Sequence, residues 1–254
     1  MSRNPRLNRP DLTAWQSETI RVTAFPSSDA VVTSETWWKA LLGEEPSLQT
    51  VRKGRFFRRD QGDALNGVMS LTVQPGRIDW NLGPKVVPDE PPQDFPSLGT
   101  AVDNIRRFTD LILHWLPSSP PLDRLAMGVT AWLPAKDQHE AYSILDTLLP
   151  AVEVDPASSD FRYQVNRARP TRLGIEGLRI NRLMTWSAIR MEIVAFAGGG
   201  GRSYRSSPIF SVRAELDINT SPDFAGPLDP GALPNLLLEF QDDSFEILQG
   251  GDQP

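Results

Sequence analysis

Two aspartates head the residues that could do chemistry. Asp79 sits in Ile78-Asp79-Trp80-Asn81 and Asp217 in Leu216-Asp217-Ile218-Asn219, two stretches of similar pattern far apart in the chain. Paired carboxylates can hold divalent cations for hydrolysis, but a two-metal cluster needs further ligands, and Glu215 is the additional acid in the same strand phase. His139 precedes Glu140, which reads as the partner of a helix cap. His114 follows Asp110 by one helical turn and reads as a solvated side chain. With two histidines and no cysteine, the chain excludes three-histidine zinc sites, thiolate zinc sites, cysteine nucleophiles and disulfides. The four glycines Gly198–Gly201 lack the helix and lysine that phosphate cradling requires, so they read as a hairpin loop. A Ser-centred elbow and an HExxH motif are both missing. The sequence therefore assigns no catalytic residue, no metal and no cofactor, and favours a binding protein over an enzyme.

Charge is the stronger signal. The 254-residue chain carries a net −6, unevenly spread. Residues 162–213 hold ten basic side chains, all arginine, against two acids, and residues 214–254 hold nine acids and no base. Either the two segments neutralise each other across the fold, or the arginines form a surface for an anionic partner. Tyr163, Trp186 and Tyr204 interleave with the arginines, the combination single-stranded nucleic acid binders use. An acidic isoelectric point argues against that use, because phosphate binding needs concentrated positive charge.

Hydrophobic periodicity supplies the elements that must position these residues. Residues 1–12 show no periodicity and read as a flexible tail. Ile20, Val22 and Ala24 alternate with polar neighbours as a strand does. Ser34 is expected to cap a short helix carrying Trp37, Trp38, Leu41 and Leu42, stopped by Gly43. Strands follow at 48–59, 65–74 and 77–82, with turns at Gly62 and Pro75–Gly76, then an extended proline-rich stretch from Pro84 to Pro96. The repeat Leu98, Val102, Ile105, Phe108, Ile112, Trp115, Leu116 predicts a helix, with Asp103–Arg107 and Arg106–Asp110 as i,i+4 pairs. A strand over 122–133, a helix over 137–148, strands at 159–169, 178–196 and 204–219, and a helix from Leu233 to Leu248 complete the chain.

The order strand, helix, three strands, helix thus occurs twice. Val22-Thr23-Ala24-Phe25-Pro26 resembles Val129-Thr130-Ala131-Trp132-Leu133-Pro134, and the Asp79 and Asp217 stretches resemble each other at equivalent places. The expected fold is α+β: a duplicated β-α-β-β-β-α unit forming a long curved antiparallel sheet with helices on one face, like TATA-binding-protein-like or helix-grip folds. The halves are 13–118 and 119–254, packed as one pseudo-symmetric domain.

Strand alternation then sends Arg77, Asp79 and Asn81, Glu215, Asp217 and Asn219, Arg162, Gln164 and Asn166, and Arg179 and Asn181 to the uncovered face. The sequence reading is a non-enzymatic binding or assembly protein. It would hold a macromolecular partner, a protein in the first instance, through Arg162, Asn166, Arg179, Asn181, Arg182 and Asp217. Two alternatives stand beside it: single-stranded nucleic acid on the same face, and a metal-dependent hydrolase or nuclease at Asp79 and Asp217. A homo-oligomer is compatible with the sequence. No apolar run is long enough to span a membrane, and Met1 to Leu12 has no apolar core of an export signal, so a cytoplasmic location is expected.

Gly177-Leu178-Arg179-Ile180-Asn181-Arg182-Leu183 resembles a strand signature of a sporadically distributed family of uncharacterised bacterial proteins of about 250 residues. That signature carries an aromatic residue between the arginine and the isoleucine, which this chain lacks. The resemblance implies a bacterial or phage source and no defined activity or site residue.

Overall fold

The structure, a computed structural model, describes residues 9–32, 34–52, 57–85, 94–192, 194–196, 203–205 and 207–253. The first strand, β1 (Gln16–Pro26), buries Ile20, Val22 and Ala24 fully and leaves Arg21 and Phe25 half-exposed, as alternation requires. Helix α1 (Trp37–Leu42), strands β2 (Leu48–Arg52), β3 (Phe57–Ala64), β4 (Gly67–Gln74) and β5 (Arg77–Gly83), and helix α2 (Ala101–Trp115) follow. Next come β6 (Leu122–Ala135), α3 (Gln138–Leu148), β7 (Arg162–Asn166), β8 (Arg169–Pro170) and β9 (Arg179–Met191). The chain closes with β10 (Val194–Phe196), β11 (Ser203–Arg205), β12 (Ile209–Thr220) and α4 (Leu233–Gly250).

The fold is α+β. Ten strands make one sheet in the order β2-β3-β4-β5-β1-β6-β12-β9-β7, with β8 beside β9, and β10 and β11 pair separately. Every pairing among the described residues is antiparallel. The centre of the sheet is β1 against β6, paired from Gln16↔Trp132 to Pro26↔Leu122. Ile78, Trp80 and Leu82 of β5, Val212, Ala214, Leu216 and Ile218 of β12, and Met184 and Trp186 of β9 all point to the side of Ile20 and Val22. There they join the apolar stripes of the helices in one continuous core; the opposite face of the sheet carries no helix among the described residues, though at one end Trp132 is buried there against Phe95 and donates to the Pro96 carbonyl.

Tryptophans tie this core together. Trp37 meets Trp115 at 5.5 Å, Trp115 meets Trp80 at 5.8 Å, and Trp80 stacks on Trp38 at 6.3 Å. Such pairs add roughly 0.5–1.5 kcal/mol each beyond burial, so α1 and α2 are locked onto β5.

Several local expectations are corrected. Gly62 is not a turn: it is buried within β3, where a Cβ would lie 3.0 Å from Trp38 Cζ2, so the glycine makes room for the indole. The chain reverses instead at Leu65 and Asn66, whose φ angles of 49° and 66° form a two-residue hairpin turn. The stretch read as one strand over 48–59 is divided into β2 and β3, which pair with each other. Thr36, not Ser34, occupies the cap position of α1, and the buried Ser34 hydroxyl has no hydrogen-bond partner among the described residues. Arg106 lies over the Phe245 ring at 5.4 Å, and neither i,i+4 pair on α2 closes as an ion pair among the described residues. The two repeat matches do not hold together in register: Asp79 pairs with Thr23, whereas Thr130 pairs with Glu215 and Asp217 with Gly128, so aligning Thr23 with Thr130 would set Asp79 against Glu215 and not Asp217.

Candidate functional site

The uncovered sheet face carries a ladder of amides. Asn166 Nδ2 on β7 donates to Asn181 Oδ1 on β9 (3.1 Å), Asn181 Nδ2 donates to Asn219 Oδ1 on β12 (3.1 Å), and Asn219 Nδ2 donates to Asp217 Oδ1 (2.8 Å). Alternation places all four on one side, and antiparallel register sets Asn219 opposite Asn181. Three of the sequence-predicted site residues, Asn166, Asn181 and Asp217, are therefore brought together. Asn219 completes the row, and its signal was an asparagine in the same outward phase on a third strand.

Beside the ladder lies a groove of about 370 Å³. Its floor is Gly128 on β6, and its walls include Arg21, Asn81, Thr130, Arg162, Gln164, Thr185, Glu215 and Asp217. The absent side chain at Gly128 lets the Arg21 guanidinium lie across the sheet: a Cβ there would be 3.3 Å from Arg21 Nη2. Arg21 Nη2 approaches Asp217 Oδ2 at 3.8 Å, while its buried Nε has no partner. Arg213 pairs with Glu18 (3.1 Å) and Glu215 (3.1 Å). Arg162 is exposed at the groove wall and has no ion-pair partner among the described residues. Arg179 projects to the same face and donates from Nη2 to the Ala168 carbonyl (2.9 Å). The arrangement offers hydroxyls, amides and guanidiniums in a shallow polar trough.

Arg182 does not belong to this face. It is 2% exposed and points to the helix layer, because it shares strand phase with Leu178 and Ile180. There it meets Asp243 (3.6 Å) and Glu246 (3.4 Å) of α4. Burial pushes the Arg182 guanidinium below its ordinary range and the Asp243 carboxyl above it, each opposed by the other's charge. Arg172 also joins Asp243 (2.7 Å) and Glu246 (2.8 Å), Arg169 joins Glu246 (3.2 Å), and Glu239 accepts from the Thr171 hydroxyl (2.6 Å) and the Arg172 backbone N–H (2.9 Å). Arg167 grips the buried Asp252 carboxylate through Nε and Nη2, both 2.8 Å, and the Tyr163 hydroxyl donates a third bond at 2.8 Å. Those bonds, the Arg167 ones first, hold Asp252 below the usual carboxylate range. Much of the arginine block thus neutralises the acidic C-terminal helix. The arginines left on the open face are Arg162, Arg179 and Arg213, and Arg190 pairs with Glu192 (2.5 Å). The expectations for Arg202, for the side chains of Tyr204 and Arg205 and for the Gly198–Gly201 loop fall outside the described residues.

The two aspartates stay apart. Asp79 on β5 and Asp217 on β12 are separated by β1 and β6, about 14 Å of backbone at the usual strand spacing. Asp79 is already engaged by Arg77 Nε (2.7 Å), Arg77 Nη2 (2.9 Å) and the Thr23 hydroxyl (2.6 Å). The hydrogen bond to Asp79 raises the Arg77 pKa above its ordinary value. Among the described residues, no three His, Asp or Glu side chains group closely enough to hold a metal ion. Tyr163 and Trp186, expected to interleave with arginine, both face the covered side. No described helix is long and apolar enough to cross a membrane.

The chain matches no protein-family model and no curated protein, so the likeness of the Gly177–Leu183 segment to a bacterial family rests on those residues alone.

Proposed function

We propose that this is a non-enzymatic binding or assembly protein that docks a protein partner on its uncovered sheet face. The observation that carries this reading is the amide ladder beside a polar groove, flanked by the exposed Arg162 and Arg179. Donors and acceptors on that face are arrayed as a recognition surface would present them. The finer fold reading belongs to the same proposal: halves 13–118 and 119–254 as two copies of one unit, joined along β1 and β6 into a curved platform of the TATA-binding-protein-like or helix-grip kind. Its support is that each half begins with a seam strand and a helix, sets its last strand beside the seam strand and ends on a helix, although the first half holds four strands between its helices, β2 to β5, rather than three. A bacterial, cytoplasmic multi-protein system is the proposed setting.

The test is affinity capture from an extract of the source organism, with the full chain and an Arg162→Glu/Arg179→Glu variant as bait. Specific partners should be retained by the wild type and by an Arg107→Glu control on α2, and lost from the double variant at unchanged thermal midpoint. Retention of the same partners by the double variant overturns the proposal.

A further inference from the structure

The uncovered face has a charge sign opposite to that of the whole chain. Five of its described carboxylates are occupied: Asp79 by Arg77, Asp217 by Arg21, Glu18 and Glu215 by Arg213, and Asp63 by Lys85 at 2.6 Å. Five arginines of the same face have no carboxylate partner among the described residues: Arg52, Arg59, Arg124, Arg162 and Arg179. They extend from β2 and β3 through β6 to β9 and β7, so the surplus runs across the sheet for roughly 35–40 Å at the usual strand spacing. The protein around it carries a net −6. On the helix side Arg167, Arg169, Arg172 and Arg182 all meet carboxylates, whereas in this row Arg124 donates to the Thr220 carbonyl and the Asn219 side chain and Arg179 to the Ala168 carbonyl, neutral acceptors that leave the charge uncompensated.

From this charge pattern we infer that the partner segment docked on the open face is an acidic polypeptide. The inference rests on the reading of that face as a docking surface. Carboxylates suit the row because guanidinium forks take them in bidentate bonds, and hydroxyls and amides of the groove suit a peptide backbone. Single-stranded nucleic acid shares the charge but also stacks its bases on open aromatic faces. Tyr163 and Trp186 are turned into the covered side. Of the rings on the open face among the described residues, Phe25 lies under Arg124 at 5.0 Å and Arg77 at 6.0 Å, Phe57 lies under Arg52 at 5.7 Å, and Trp132 is buried against Phe95 at 5.4 Å. An acidic segment uses the charge without those rings.

The experiment is fluorescence anisotropy with three labelled probes, a twelve-residue Asp/Glu-rich peptide, its Lys-rich counterpart and a twelve-nucleotide oligothymidylate, together with selection from a random dodecapeptide display library. Full-length wild type, Arg162→Glu/Arg179→Glu and Arg107→Glu are compared. The inference expects binding of the acidic probe that weakens about tenfold in the double variant, survives in Arg107→Glu and falls with added salt, with acidic sequences enriched in the library. Tighter binding of the oligothymidylate, or enrichment of neutral or basic peptides, lost in the double variant, overturns the acidic partner and leaves the docking surface standing. Absence of any probe or peptide that distinguishes wild type from the double variant overturns both.

Discussion

Replacing Gly251 by alanine should cost this protein more than any substitution on the open face. Gly251 ends α4 at φ 71° and ψ −155°, a region that only glycine occupies without strain. A Cβ there would sit 2.0 Å from the Leu148 carbonyl oxygen at the end of α3. The strain alone is worth about 1–3 kcal/mol. Relieving the clash must also shift the next residue, Asp252, whose N–H donates to Leu148 O (2.9 Å) and whose carboxylate holds Arg167 and Tyr163. Breaking a buried ion pair costs about 3–5 kcal/mol, but the Arg167 side chain is 31% exposed and water replaces part of what it loses, so about 2 kcal/mol is the fair share. The total is about 4 kcal/mol, or a fall of about 12 °C in Tm for a chain of this size. Thermal unfolding by circular dichroism measures it, with Asp252→Ala and the Gly251→Ala/Asp252→Ala double variant alongside. Because both substitutions break one clamp, the double variant should lose clearly less than the sum. A Gly251→Ala midpoint within about 3 °C of wild type, or fully additive losses, would refute the reasoning.

Three further outcomes follow from the same geometry. The folded state holds Asp252 ionised below the ordinary carboxyl pKa, so its contribution is complete above about pH 4 and disappears as pH falls through the depressed value; the urea midpoints of wild type and Asp252→Asn should converge on acidification, and a constant gap down to pH 2 contradicts this. Gly62→Val forces a side chain against the Trp38 indole and should cost about 1–3 kcal/mol with a change in tryptophan emission; an unaltered urea midpoint would show that the ring does not lie there. Arg182→Met leaves Asp243 buried with Arg172 as its remaining cation and should lose about 2–3 kcal/mol, part of which Arg182→Met/Asp243→Leu restores; a double variant less stable than the single one counts against a buried charge pair.

What the sequence made legible were features set by local period. The phase of Ile78, Trp80 and Leu82 against Arg77, Asp79 and Asn81 depends on strand pleat alone, and the structure keeps it. Asp137 receives the Glu140 N–H at 2.8 Å, as its position before a helix implied, while Glu140 turns back to the Lys136 N–H. What depended on three-dimensional neighbours was not legible. Gly62 reads as a turn until Trp38, far along the chain, is known to press on it. Arg182 follows Arg179 and Asn181 in a row of polar residues, and its inward phase was overridden by its charge until α4 supplied Asp243 and Glu246. The match of Thr23 with Thr130 and that of Asp79 with Asp217 cannot both hold, because matching letters carry no strand register, and register is decided by hydrogen bonding across the sheet.

The pairing of β1 with β6 has a consequence for how the polypeptide reaches its final shape. The opening strand finds one neighbour in β5 and the other more than a hundred residues further along, at 122–135. A nascent chain must therefore keep one flank of that strand unsatisfied until the middle of the molecule has been made, and such distant partners are the ones that slow collapse and invite misassembly.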